Sequence, residues 1–334
     1  MEYCVGHHVA FICTRRVDSF DGLTRLSARL RGGSAPDVPR LLRLLESESS
    51  EGAAASVRAV LRDLVEREVP LDLVVSDVAS RSSARQVCCH VWNPPARSGH
   101  RFDLGDGLAL SAPEACYLQL ARTLDEVTLM KIGFELCGLY VLDEGSPVGF
   151  RKRKPLTNVR ALRAFADKMG SAKGARRARS CLRYVRDNSA SPMETCLALL
   201  LGLPVARGGY GLGVPELNVK VSAPQSARSK VGFDRYHCDL FWADRRIALE
   251  YNSKEFHLEE QAVARDSARM NDLALFDVTA FTATRLQIGS VEETDRLARL
   301  IAGCMGRRTD RELADAAYRR HALRKALFAK DQLL

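Results

Sequence analysis

Apolar positions recur at two different periods along this chain, and each change of period marks an element. From Val38 to Glu68 they fall at Leu41, Leu42, Leu44 and Leu45, then at Val57, Val60, Leu61 and Leu64. This is helical spacing broken between Ser47 and Gly52, and it predicts a helical pair. Leu71 to Val78 and Gln86 to Trp92 read as strands about a Ser/Arg turn at Ser80 to Arg85, with Phe102 to Leu110 a third, glycine-interrupted strand. Ahead of them, the apolar run Val9 to Cys13 predicts a strand followed by a turn and a helix. Ser111-Ala112-Pro113-Glu114 spells a capping box, so a helix is expected from Ala112 to about Arg122, and a second from Leu124 to about Cys137.

The second half repeats the alternation of periods. Ser191-Pro192-Met193-Glu194 opens a helix whose apolar face carries Leu197, Leu200 and Leu201. Pro215 to Ser222 alternates Leu217, Val219 and Val221 at period two, as a half-buried strand does. Asp234 to Lys254 then reads as two strands about a tight turn at Asp244-Arg245. Charges interrupt both strands: Asp239 lies between Cys238 and Leu240, and Glu250 between Leu249 and Tyr251. A two-residue hairpin sets Asp239 opposite Glu250 with Cβ atoms about 5 Å apart, whereas a slip of one residue turns one of them to the other face. Two carboxylates so placed either repel or hold a cation. Leu258 to Leu275 is expected to be helical, Asp277 to Ala283 a strand, and Val291 to Cys304 and Arg311 to Phe328 helices, the last amphipathic and basic. The order of elements predicts an α/β protein with a small mixed sheet.

Composition adds a partner class. The 334 residues suit two domains, and 46% hydrophobic with 27% charged residues is ordinary for a globular chain. The net charge of +9 favours a polyanionic partner, nucleic acid before membrane headgroups. Thirteen of the cations lie between Arg151 and Arg186, among them Arg176, Arg177 and Arg179, against Asp167 alone among acids. The segment is either a phosphate-binding connector or a solvated helix face between domains. The longest apolar run, Cys196 to Ala206, is about half what a membrane span needs. The N-terminus lacks the signal-peptide pattern, so a cytoplasmic protein without a membrane partner is expected. Ten cysteines, two of them adjacent at Cys88-Cys89, do not spell a disulfide scaffold; most read as small buried hydrophobes. Cys4, His7, His8 and Cys13 are ligand types close together, at a spacing that matches no zinc pattern.

The matches at Ser191-Pro192-Met193-Glu194, Asp239, Glu250-Tyr251-Asn252, His257 and Arg265-Asp266-Ser267-Ala268-Arg269 fall in a family order. Residues 191–288 resemble the restriction-endonuclease-like PD-(D/E)xK superfamily, in the branch related to very short patch repair endonucleases. That branch includes a widespread bacterial domain, often behind an N-terminal region like that of AbiEi antitoxins. Its pattern is roughly S-P-x-E on a helix, a strand with D, then E-x-D-G, a His, and a helix with R-D-x-x-R. The resemblance implies a restriction-endonuclease-like core, a mixed central sheet flanked by helices, behind a mixed α/β N-terminal domain. The expected organisation is 1–150 for the N-terminal module, 151–187 for the basic helical connector, 188–306 for the endonuclease-like domain and 307–334 for a C-terminal basic helix.

The resemblance also implies a Mg²⁺- or Mn²⁺-dependent nuclease acting on DNA, in repair or phage defence, with Asp239 and Glu250 as metal ligands. Phosphodiester hydrolysis uses such an ion to polarise phosphorus and to acidify the attacking water. Glu194 either holds a metal-bound water or closes a capping box with Ser191. His257 either serves the phosphate or caps the following helix. Arg265 and Arg269, four apart, share a helix face and reach a DNA strand, unless Asp266 pairs with Arg269 instead. Asn252 departs from the family's Asp or Lys, and a neutral amide neither takes a proton nor offers positive charge. Lys254, two residues on, is the candidate substitute. Asn252 therefore supports an alternative, a catalytically inactive nuclease-like DNA-binding regulator of the antitoxin kind.

Overall fold

The computed structural model describes residues 2–28, 30, 34–46, 51–95, 98–226, 235–252, 271–307 and 316–329. It is a mixed α/β protein whose chain divides into two compact units, residues 1–137 with 141–183 and 330–334, and residues 138–140 with 184–329. The basic segment 151–183 thus belongs to the first unit.

The first unit is built on a six-stranded mixed sheet of β1 (Tyr3–Val5), β2 (Arg25–Leu26), β3 (Leu71–Val75), β4 (Val87–Val91), β5 (Arg101–Asp103) and β6 (Leu108–Ser111), in the order β2-β5-β6-β1-β3-β4. Central β1 runs parallel to β6 and antiparallel to β3, and β3 runs parallel to β4. The run Val9 to Cys13, expected as a strand, lies in helix α1 (His7–Arg16). Its residues are apolar on every side because the helix is buried all round, which erases the amphipathic signal. The β1 strand passes into α1 through Gly6, where a Cβ would come within 2.4 Å of Val74 Cγ2 and 2.9 Å of Gln119 Oε1, so only glycine fits.

Helices α2 (Val38–Glu46) and α3 (Gly52–Glu66) are the expected pair. The glycine-interrupted strand is instead two, β5 and β6, joined by a turn in which Leu108 N–H donates to the Gly105 carbonyl. Helix α4 (Pro113–Leu120) follows, but its N-cap is Ala112 and Ser111 does not cap it. Ser111 is held in the sheet and accepts from Gln119 Nε2, while Glu114 pairs with Arg25, so the expected capping box does not form. Helix α5 (Glu126–Cys137) carries Glu135, which meets Arg15 through two 2.9 Å hydrogen bonds in the interior. Short strands β7 (Tyr140–Leu142) and β8 (Phe150–Lys152) precede α6 (Val159–Lys168) and α7 (Ala175–Leu182).

The second unit starts with α8 (Pro192–Gly202), capped by Ser191 and buried along its length. A four-stranded sheet follows, ordered β12-β11-β10-β9, from β9 (Glu216–Ser222), β10 (Arg235–Trp242), β11 (Ile247–Asn252) and β12 (Thr279–Thr284). The first three strands form an antiparallel meander, and β12 lies parallel to β11. A parallel pair needs a long connection between its strands, and β11 and β12 are well separated along the chain. Cys238, Phe241, Ala248, Leu273, Phe276 and Val278 pack together with Val221 and Ala223 as one hydrophobic cluster. Among the described residues, α9 (Arg285–Gly289), α10 (Val291–Cys304) and α11 (Ala317–Phe328) follow the sheet. Two of the basic residues of α11, Arg320 and Arg324, turn inward, while Arg319 and Lys325 are exposed. Arg324 donates to the carbonyls of Ile288 and Gly289, and Arg320 pairs with Asp295 over the Tyr210 ring.

Candidate functional site

The hairpin that carries the two carboxylates turns through four residues, Ala243 to Arg246, not two. Trp242 and Ile247 form the last pair, and Arg246 takes a positive φ of 50°. Four residues and two share the same parity, so the expected register survives the longer turn. Leu240 stands opposite Leu249, where the paired ladder ends, and the same register carried one step further would set Asp239 opposite Glu250. The ladder to β9 is broken at the same level. Cys238 pairs with Val219 and Leu240 with Leu217, while Asn218 between them adopts φ 49°. Asp239 is half-buried, and its Oδ2 accepts the Tyr251 N–H at 2.8 Å. Glu250 is 9% exposed and lies beside Thr282 of β12. Asn252 is half-buried at the end of β11.

Glu194 joins this group from the preceding helix. Its N–H donates to Ser191 Oγ at 3.2 Å, and its carboxylate accepts from Ala190 N–H at 2.8 Å and from Ser191 Oγ at 2.9 Å. This is a helix cap in which the side chain reaches back one residue beyond the N-cap. A further bond comes from Asn218 Nδ2, 2.7 Å from Glu194 Oε2. The left-handed turn at Asn218 thus ties the helix to the broken rung of the sheet. Sequence reasoning missed this residue; the available signal was an amide flanked by Leu217 and Val219 in an alternating strand. Burial, and then the negative charge of Asp239, push the Glu194 carboxyl up to about 7 against the pull of its hydrogen bonds. The Glu194 carboxyl of α8 thus lies within the electrostatic reach of Asp239 on β10, and Glu250 stands on the neighbouring strand β11. An all-oxygen set of this kind suits Mg²⁺ or Mn²⁺, which keep several of their own waters. Lys254, His257, Arg265, Asp266 and Arg269 lie outside the described residues.

The basic segment uses much of its charge internally. Arg177 Nη1 donates to the carbonyls of Leu124 at 2.8 Å and Ala121 at 3.3 Å, just past the end of α4. Arg179 donates to Ala166 and Gly170 at 2.8 and 3.0 Å, closing the end of α6. Arg163 serves Leu182 at the end of α7, and buried Arg153 serves Thr14 and Glu135. These guanidiniums satisfy helix C-terminal and loop carbonyls. Arg176, on the same helix as Arg177 and Arg179, is exposed.

Among the described residues, the group of three ligand-type side chains with atoms all within 4.8 Å of one another is Asp72, Cys88 and His90, in the first unit. No sequence spacing announced it, because Asp72 meets the other two across paired strands. Of the N-terminal candidates, His7 joins this neighbourhood, stacking on His90. Cys4 faces Ser111 in the core and Cys13 is buried within α1. No family model matches the sequence, and no curated protein or solved structure matches it either.

Proposed function

We propose that the second unit is a divalent-metal-dependent endonuclease of the restriction-endonuclease-like kind that acts on DNA. The observation that carries this reading is the hairpin register, which carried one step past Leu240–Leu249 would set Asp239 opposite Glu250, with the Glu194 carboxyl raised by the charge of Asp239. The order helix, antiparallel meander and parallel fourth strand supports the same reading, as does the net charge of +9.

Asp239 and Glu250 would hold the ion, and Glu194 would stand by as a proton-holding carboxyl near neutral pH. When bound, Mg²⁺ or Mn²⁺ supplies charge to the phosphate and lowers the pKa of the attacking water. The Tyr251 N–H fixes one oxygen of Asp239, and Asn218 with Ser191 fixes Glu194, so the carboxyls are oriented before substrate arrives. A plasmid-nicking assay in Mg²⁺ or Mn²⁺ tests the reading. The expected result is nicking by the parent protein and a loss of on the order of 100-fold or more in Asp239→Ala; equal inactivity of the two proteins refutes it.

Asn252 favours a second reading, a nuclease-derived DNA-binding regulator without catalysis. That reading expects salt-sensitive DNA binding indifferent to EDTA. A calorimetric Mn²⁺ site abolished by Glu250→Ala counts against it.

A further inference from the structure

The carboxylates of the second unit leave unexplained a set of side chains on the sheet of the first. Parallel β3 and β4 pair Asp72 with Cys88 and Val74 with His90. Cys88 and His90 are two apart and so rise from one face of β4, the face that Asp72 shares. The neighbouring Cys89 points the other way, where its sulfur accepts the Ser82 N–H at 3.4 Å. A carboxylate oxygen, a thiol sulfur and an imidazole nitrogen are thereby brought within 4.8 Å of one another.

The surroundings hold these groups in place. Asp72 Oδ2 accepts the Val9 N–H of α1 at 3.2 Å, while Oδ1 lies 2.6 Å from His90 Nε2. The His90 ring is stacked on His7, with centroids 3.7 Å apart and planes 19° apart. His7 is 2% exposed and sits at φ 50°, a conformation disfavoured for a residue with a Cβ. It is fixed by its N–H on Gln119 Oε1 at 2.9 Å and by the Cys116 thiol on its carbonyl at 3.4 Å. Among the described residues no group hydrogen-bonds its Nε2. An ordinary Asp–His pair accounts for the 2.6 Å contact. It accounts for neither the thiol in range nor a buried imidazole nitrogen left without a partner.

We propose that Asp72, Cys88 and His90 bind a thiophilic divalent transition metal, Zn²⁺ above all, as a three-ligand site whose fourth position is taken by water. One sulfur, one nitrogen and one oxygen donor suit zinc, whereas Mg²⁺ and Ca²⁺ select oxygen. On binding, the Cys88 thiol releases its proton to solvent, and His90 Nε2 exchanges its contact with Asp72 for the metal. Tetrahedral ligands at zinc lie about 3.3 Å apart, so the Asp72–His90 contact has to open by less than an ångström. Exposed Cys88 and partly exposed His90 leave a path from solvent. A water on the metal would give the buried His7 Nε2 a hydrogen-bond partner, and the stack on His7 would hold the His90 ring in its ligating orientation.

The test uses the full chain, stripped with EDTA, desalted and titrated with Co²⁺. With excess Mg²⁺ present to fill the carboxylate site of the second unit, the expected result is one thiolate-bound Co²⁺ per chain, read from a thiolate-to-cobalt charge-transfer band in the near ultraviolet and tetrahedral visible bands. Zn²⁺ displaces these, and excess Mg²⁺ does not. Cys88→Ser removes the charge-transfer band, and Cys88→Ser and His90→Gln each weaken Zn²⁺ binding on the order of 100-fold or more, while Cys89→Ser leaves both unchanged. Far-ultraviolet circular dichroism checks that each variant is folded. A parent protein without the thiolate band, or a band that survives in folded Cys88→Ser, overturns the proposal.

Discussion

Glu194 shows how one side chain carries both a structural and a chemical role. The sequence permitted either a helix cap or a site carboxylate, and the structure has the cap in place while the same group sits under the charge of Asp239. Its pKa in the folded chain, about 7, stands above the ordinary 4.5. The folded state therefore prefers the protonated form. The resulting stabilisation is complete below pH 4.5 and is lost as pH rises through 7, a swing of about 3 kcal/mol. In EDTA, Glu194→Gln keeps the cap acceptor and removes the ionisation. It should be more stable than the parent at pH 8, with the advantage fading toward pH 5, as read from urea denaturation midpoints. Equal pH profiles for the two proteins would show that the carboxyl is not held near neutrality.

At the scale of elements, what matters is where the backbone leaves unpaired carbonyls and close approaches. In α7, Arg177 and Arg179 answer helix-end carbonyls and Arg176 faces out. If the first unit touches DNA through this helix, Arg176→Ala should lower the slope of log K against log salt by about 1. Arg177→Ala should leave the slope unchanged and lower stability by about 0.5–1 kcal/mol, because its partly exposed hydrogen bonds to the Ala121 and Leu124 carbonyls are lost. Fluorescence anisotropy across a salt series and denaturation curves separate the two effects. At the end of α8, a Cβ on Gly202 would lie 2.5 Å from Val214 Cα and 2.8 Å from its nitrogen. Gly202→Ala thus forces the 214 backbone away from the helix and should cost about 2 kcal/mol or more, measured as a lowered denaturation midpoint. The paired helices 38–66 and the alternation of β9 were legible because one face of each is wet. Helix α1 was misread because neither face is.

The whole chain does not divide at a single point. Gly138–Tyr140 belongs with residues 184–329, where Leu139 N–H donates to the Ser189 carbonyl at 2.7 Å. The Tyr140 hydroxyl meets Thr195 Oγ1 at 3.0 Å, and Thr195 meets Ser189 Oγ at 2.8 Å. Tyr140→Phe in the full chain should therefore destabilise the second unit by about 1 kcal/mol. A fragment beginning at residue 184 should unfold at lower urea than the same unit in the full chain, followed by Trp242 fluorescence. Equal midpoints would show that the three residues contribute nothing to that unit. Sequence reading placed a boundary near this region from the change in composition, but composition does not register a short segment that crosses from one unit to the other.

What the sequence determined by itself is whatever depends on neighbours along the chain: the periods of the helices and strands, the cap at Ser191, and the parity of the 235–252 hairpin. That parity sets Asp239 against Glu250 whether the turn has two residues or four, because side chains alternate with period two. The tertiary structure alone decided which residues meet across strands and between layers. It brought Asn218 to Glu194, turned Arg177, Arg179 and Arg324 onto carbonyls, and gathered Asp72, Cys88, His90 and His7 at one place. These encounters follow from strand order and helix packing, which bring distant residues into contact without leaving a period in the sequence.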